Sequence, residues 1–442
     1  MMEEQVQCHS CPIQCKIRPG NTGACKRFTN VNGVLERNRP LAEASNRAKY
    51  EDSVLQKPVV TAVGAGTTYP CMKPAPFIVS EVRDDVEVVT VVTEAPLSYS
   101  GVIVKVDTNQ FLGEAGEKIY ADDAEVGMLM PEEYGSKMLS IGGATLFTSK
   151  SGLAAVRTVT ALANGEEKTL QLGKHRLTVQ AGQAPVIDGK VEERMRFGCG
   201  SATIGIFAAK MKEAADDVIV LDHHIIGLLS EHLAGEEVGM SWSGIIIQGK
   251  KSSRGRYFGM HGDGVGGTAF LCAIDVVKGV DKERAKPGMT LFITDTIGET
   301  REYFELDQDF NFRKRELPPK AEQLADEIAG NCEKSLVSVV YTGGAGGSAR
   351  GGVTRCPIKL TEAVHAKKVK LTIGGAPAFV MPGGGINFLA DTQEMVENSF
   401  YWVPTPATVA PIEYTMTRSE YEKIEGHTDC IISVEEMKKR CE

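Results

Sequence analysis

Between Val86 and Val106 the chain is dense in β-branched residues, first as Val88-Val89-Thr90-Val91-Val92-Thr93 and then as Gly101-Val102-Ile103-Val104-Lys105-Val106. Such runs predict strands, because branched side chains fit a pleated, half-buried surface. Lys168 to Val179 predicts a hairpin turning at Gly173-Lys174, and Phe28 to Arg37 a shorter one turning at Asn32-Gly33. Apolar residues recur with helical spacing from Ile141-Gly142-Gly143-Ala144 through Thr160, and again from Ser201 to Ala215. Residues 40 to 56 are polar with an Ala-rich patch and predict a helix. Residues 58 to 82, rich in Pro and Gly and containing Cys71, predict irregular chain.

Further on, helix and strand patterns alternate. Val218-Ile219-Val220-Leu221 is a short continuous apolar run, the pattern of a buried strand, and a helical stretch through Leu233 follows it. Ser335 to Tyr341 and Lys370 to Ile373 read as further strands. The fold class is therefore α/β in the mixed α+β sense. Three units are expected: a small Cys-rich segment at 1–55, a mixed strand-rich domain at 56–190, and an α/β domain with Gly-rich loops at 191–442. The boundary is placed in the linker Gly182 to Lys190.

Composition narrows the function classes. With 442 residues, 42% of them hydrophobic and 24% charged, the chain buries a sizeable core and shows no sign of disorder. No apolar run approaches the length of a membrane span, and Met-Met-Glu-Glu-Gln lacks an export signal, so the expected location is the cytoplasm. Residues 1 to 50 hold eight Lys or Arg against four Glu, a balance of +4; with −9 overall, the remainder carries −13. A basic collar on an acidic body is not the broad positive face that nucleic acid requires. It suits an acidic electron carrier docking there, or is a solvated basic surface.

That collar surrounds Cys8, Cys11, Cys15 and Cys25, spaced by two, three and nine residues. A thiolate triplet on one loop grips three corners of a cubane, and a fourth arriving after Pro19-Gly20 closes the site. A structural zinc site, usually two separated pairs, is the alternative. Disulfides are disfavoured by the odd total of 11 cysteines and the absence of an export signal. His9, inside the motif, is expected to stay outside the ligand set.

Other candidates lie further along. The predicted strand at 218–221 ends in Asp222-His223-His224, and polar groups at the carboxyl end of such a strand commonly line a ligand crevice. His223, His224 and His261 are the candidate catalytic proton donors, with His232 nearby. Three glycine clusters follow: Arg254 to Thr268, Thr342 to Cys356, and Gly374 to Phe388. The second opens with Gly343, Gly344, Gly346 and Gly347, whose backbone N–H groups suit a phosphate or carboxylate of a cofactor. Arg256, Arg350 and Arg355 are candidates for a fork that binds a substrate carboxylate. The opening of the third cluster echoes Gly142 to Phe147, through internal repetition or coincidence. Cys199 lies between Gly198 and Gly200 and Cys356 follows the arginine loop, but by default they and the other cysteines outside the N-terminal four are mostly small buried hydrophobes.

The cysteine pattern, the loop at 343–355, Gly383-Gly384-Gly385-Ile386-Asn387-Phe388 and the tail Trp402 to Met416 together resemble the 6-hydroxynicotinate reductase family. The resemblance implies a ferredoxin-dependent reduction of a hydroxypyridine carboxylate ring in anaerobic nicotinate breakdown, giving 1,4,5,6-tetrahydro-6-oxonicotinate. It carries over only the four cysteines, as ligands of a 4Fe-4S cluster. A flavin, FAD or FMN, has room among the glycine loops, although no flavin motif is legible. Reduced ferredoxin, a heterocyclic carboxylate and a second copy of the chain are the expected partners. Two other classes stay open: a cyclic-amide hydrolase with a structural metal, and an electron-transfer subunit of a larger complex. The three-cysteine motif of radical S-adenosylmethionine enzymes does not occur.

Overall fold

A computed structural model describes the chain apart from residues 1–4, 9–12, 25, 39–42, 45–53, 62–76, 98–99, 132–135, 196–197, 223–225, 248–271, 405–406 and 442. Its spine is the antiparallel pair Val86–Leu97 and Ala407–Thr417, in register from Leu97 opposite Thr408 to Val88 opposite Thr417. Phe77–Arg83 extends this layer on one side, while Lys370–Ile373 and Tyr401–Val403 extend it on the other. A second layer is centred on Gly101–Val106, flanked on both sides by antiparallel strands, Lys137–Gly142 and Val337–Gly344. The hairpin of Lys370–Ile373 with Ala376–Met381 carries the chain from one layer to the other.

Period-2 alternation decides what lies between the layers. Odd positions of the spine, Val89 and Val91, and even positions of its partner, Ile412 and Tyr414, face inward onto Val104, Val339, Tyr341, Phe388 and the helix Gly152–Ala163. All of these core residues are inaccessible to solvent. At the usual strength of apolar burial, each large side chain contributes roughly 1.5–3 kcal/mol.

Residues 194 to 334 form an inserted unit. The strands Asp217–Leu221 and Thr290–Asp295 run parallel, with Arg301–Leu306 and Phe312–Arg315 continuing antiparallel. Helices Gly200–Ala214 and Pro319–Gly330 share one core against them, built on Ile204, Met211, Leu324 and Ile328. The short pair Arg194–Met195 and Glu333–Lys334 closes the neck of the insertion. The linker at 182–190 precedes this insertion. Beyond 334 the chain returns to the two layers, first to the second of them and then to the spine.

Several local expectations hold. Asn32 and Gly33 both take positive φ, 52° and 89°, in the turn between Phe28–Val31 and Val34–Arg37. The hairpin Lys168–Leu172 with His175–Val179 and the helix Gly200–Ala214 appear as read. Others need correction. The irregular stretch at 58–82 contains the strands Val60–Thr61 and Phe77–Arg83, because the apolar run Phe77-Ile78-Val79 pairs with the spine. The helix expected through Leu233 is instead a two-residue strand at Gly227–Leu228, a 3-10 turn and a five-residue helix, Leu233–Glu237. Most of the helix expected at 40–56 lies outside the described residues.

Candidate active site

Two of the four N-terminal cysteines are described. Val6–Gln7 pairs antiparallel with Lys16–Ile17, so Cys8 and Cys15 stand at the two feet of the loop between them. The Cys8 N–H donates to the Cys15 carbonyl at 2.8 Å and pins those feet together. Cys8 is buried on Ile17 and Phe28, and a hollow of about 390 Å³ opens beside Cys15, lined also by Arg18, Asn21 and Gly23. Cys11 and Cys25 lie outside the described residues, as does His9. A loop with a thiol at each pinned foot, one of them, Cys15, beside a hollow, fits a thiolate-held metal group. Lys16, Arg18 and Lys26 are exposed around it.

Arg27 of this segment reaches the outer face of the spine, where buried polar groups stand among the apolar Val88 and Val92. Register places Glu94 opposite Pro411 and Val92 opposite Glu413, so both glutamates project from the same side, one diagonal step apart. Both are fully buried. Glu94 accepts from the Tyr401 hydroxyl at 3.0 Å and from Arg27 Nη2 at 3.4 Å. The Arg27 guanidinium lies 3.6 Å from the centre of the Tyr401 ring. Arg37 stacks on Phe28 at 4.8 Å. Burial draws Arg37 below its ordinary value, and the charges of Glu94, Arg27, Tyr401 and Cys8 also act on it.

Glu413 is held differently. It accepts hydrogen bonds from Thr61 Oγ1, from Thr372 Oγ1 at 2.7 Å and from the Gly375 N–H at 3.2 Å. Burial pushes its carboxyl up to about 8 against these donors, so it is largely protonated at neutral pH. None of Arg27, Arg37, Glu94, Tyr401 and Glu413 was singled out from the sequence. The available signal was a lone acid inside each of two apolar strands.

The glycine loops gather elsewhere. Gly101 lies opposite Gly142 on one neighbouring strand and Thr342 on the other, so Gly142-Gly143 and Gly343-Gly344 meet at one end of the second layer. Gly344 pairs with Asn387, and the Ala345 N–H donates to the Ile386 carbonyl at 2.8 Å, which brings in the loop at 383–385. His365, at the end of the helix Pro357–His365, donates from Nε2 to the Gly385 carbonyl at 2.9 Å. Around Gly143, Gly346, Gly347 and residues 383 to 385 the space is open, whereas a Cβ on Gly101 would lie 2.5 Å from the Ile141 carbonyl oxygen. Part of the glycine content therefore lets strands approach, and part lines an open corner. The echo between 142–147 and 374–379 has no structural counterpart: Gly374-Gly375 is a hairpin turn, whereas Gly142-Gly143 leads from strand into helix.

Of the predicted arginines, the two described, Arg350 and Arg355, point apart. Arg350, on the seven-residue helix Gly347–Val353 beside the glycine corner, donates from Nη1 to Thr361 Oγ1 at 2.7 Å, and its Nε is buried. Arg355 points to the surface, 3.1 Å from Asp429. Arg256 and His261 fall outside the described residues, with the glycine cluster that holds them.

His223 and His224 also fall outside, but Asp222 before them lines a crevice of about 700 Å³ at the carboxyl ends of the parallel strands. Its lining has five carboxylates, among them Glu192, Asp222 and Asp295, against Lys190 and Arg194. Asp295 is consumed by its own loop, accepting from the N–H groups of Ile297, Glu299 and Thr300. The crevice follows the end of Gly101–Val106 and the glycine corner adjoins its start, roughly 17–20 Å apart along such a strand. Nearby, Ser201 Oγ donates to His232 Nε2 at 3.3 Å, and His232 Nδ1 donates to the Leu228 carbonyl, which places Ser201, His232 and Cys199 at the head of one helix.

No family model matches the chain, and no solved structure matches it significantly. Among curated proteins it is similar to the 6-hydroxynicotinate reductase of Eubacterium barkeri, with 57% identity over 438 residues, covering 99% of this chain and 88% of the relative. The matched length takes in the cysteine segment, both sheet layers and the insertion. The chain belongs to the 6-hydroxynicotinate reductase family of oxidoreductases.

Proposed function

We propose that the chain reduces 6-hydroxynicotinate to 1,4,5,6-tetrahydro-6-oxonicotinate with electrons from reduced ferredoxin in the cytoplasm. The observation that carries the substrate is the 57% identity, over nearly the whole chain, to a relative of that name. The electron source is supported by the cysteine loop with its exposed Lys16, Arg18 and Lys26, a surface suited to an acidic carrier. Cys8, Cys11, Cys15 and Cys25 would hold a 4Fe-4S cluster, which supplies one-electron transfer when bound.

Saturating one ring double bond takes two electrons and two protons. The chain's own part is to hold the ring, exclude water and deliver protons. The acidic lining of the crevice opposes a ring carboxylate by like-charge repulsion. The glycine corner offers open backbone, His365 as a titratable group and Arg350 on the helix that follows. We place the ring there, with Arg350 toward its carboxylate. His223, His224 and His261 are retained as further proton donors, and a flavin is the candidate for collecting electron pairs.

The test is anaerobic incubation of the purified chain with 6-hydroxynicotinate and reduced ferredoxin, following ring absorbance. Loss of absorbance matched by two oxidised ferredoxins per ring supports the reading. No loss removes the substrate, and turnover without any donor favours hydrolysis of a cyclic amide.

A further inference from the structure

The outer face of the spine carries a closed triangle of side chains. Glu94 belongs to the sheet, Tyr401 to the neighbouring edge strand, and Arg27 to the cysteine-bearing segment. The tyrosine hydroxyl and the guanidinium each donate to a different oxygen of the one carboxylate, and the guanidinium also lies on the tyrosine ring. Two hydrogen bonds and a cation–π contact thus close on each other. The Glu94 side chain has no exposed surface, and that of Arg27 is 10% exposed.

A charge placed inside a valine-rich strand is costly unless it is paired and hydrogen-bonded. The strand would fold at least as well with an apolar residue at this position. What the pairing provides is register: the triangle forms only when the segment that carries Cys8 and Cys15 sits at one place on the sheet. Arg37 stands beside the same group, within the electrostatic reach of Cys8, Glu94 and Tyr401.

We propose that Glu94, Tyr401 and Arg27 form a clamp that fixes the cysteine segment to the sheet, acting as positioning residues for electron delivery. The segment is thereby a rigid part of the reductase, not an arm that swings between carrier and ring. The consequence for turnover rests on the function proposed above, whereas the docking itself does not.

The test compares the anaerobically purified full chain with its E94Q, R27A and R27K variants. Amide hydrogen exchange of residues 13–38 reports docking, iron content reports loading, and kcat with reduced ferredoxin is read separately from KM for the ring. In E94Q the exchange of that segment should rise by about ten- to a hundredfold, as expected when a buried charged hydrogen-bond partner is lost. kcat should fall with it, at unchanged KM and unchanged iron. R27A, which alters only the segment's side of the contact, should behave alike even where E94Q fails to fold. R27K, keeping the charge but losing the planar fork, should fall between R27A and the parent. Parental exchange of the segment in R27A overturns the clamp. Raised exchange in R27A from a protein that contains no iron leaves the clamp standing and removes the electron-delivery reading instead.

Discussion

The two faces of one strand pair are both buried but differ in chemistry: the inner is largely apolar, whereas the outer mixes Val88 and Val92 with buried polar groups. Inward from Val86–Leu97 and Ala407–Thr417 stand Val89, Val91, Ile412 and Tyr414, packed into the main core. Outward stand Thr90, Glu94, Glu413 and Thr415, also without solvent exposure. On that face Thr90 and Thr415 hydrogen-bond at 2.9 Å, and Thr90 Oγ1 accepts from the Val59 N–H at 2.9 Å. The inner face holds its contacts by shape, so any side chain of similar volume serves. The outer face adds to its packing matched donors and acceptors, which admit one arrangement. The difference teaches that this sheet holds its inner face by packing alone and its outer face by packing around placed polar groups, of which Glu94 meets the cysteine segment and Glu413 meets Thr61, Thr372 and Gly375.

The largest effect should come from breaking the inner face. Ile412→Ala removes a fully buried side chain and is expected to cost about 3 kcal/mol in urea unfolding. Turnover per folded molecule should remain parental. A fall in kcat at full folding would mean that the core face also shapes the site.

Glycines sharpen the same contrast. Gly101→Ala would set a Cβ 2.5 Å from the Ile141 carbonyl oxygen, where only backbone movement relieves the clash, and should cost about 2 kcal/mol. Gly346→Ala meets open space at φ −61° and should change stability by less than about 0.5 kcal/mol. If the corner holds the ring, it is Gly346→Ala that raises KM.

On the outer face, the carboxyl of Glu413 binds its proton more tightly in the folded chain, at about 8, than at its ordinary 4.5. Its contribution to stability is therefore complete below about pH 4.5 and is lost as pH rises toward 8, at up to about 1.4 kcal/mol per pH unit. Glu413→Gln should flatten that slope in unfolding curves taken from pH 5 to 8. An unchanged slope would show that Glu413 titrates outside this window.

The smallest effect belongs to Arg355. Its partner Asp429 is exposed, so Arg355→Ala should leave the unfolding midpoint and KM unchanged. A tenfold or greater rise in KM, about 1.4 kcal/mol of lost binding, would restore it to the substrate fork.

How much of this was legible follows from range. The strands at 86–106, the hairpins at 28–37 and 168–179 and the helix at 200–214 depend on local pattern, and each was read from it. The return of 337–417 into the two layers depends on pairing across more than 200 residues, as between Val106 and Val337, and nothing local marks it. Glu94 and Glu413 show as single acids in apolar strands, but only the register that sets them one diagonal step apart gives them meaning. The cysteine spacing could be noticed because the four thiols are close in sequence. The glycine loops at 142, 343 and 383 could be read as unusual, but not as neighbours.

The most direct test of the cysteine segment as the place where electrons arrive is metal and acid-labile sulfide analysis of anaerobically purified protein, with its visible spectrum before and after reduction. The account predicts about four irons per chain with matching sulfide, and a visible absorption that bleaches on reduction. Zinc without sulfide would contradict it.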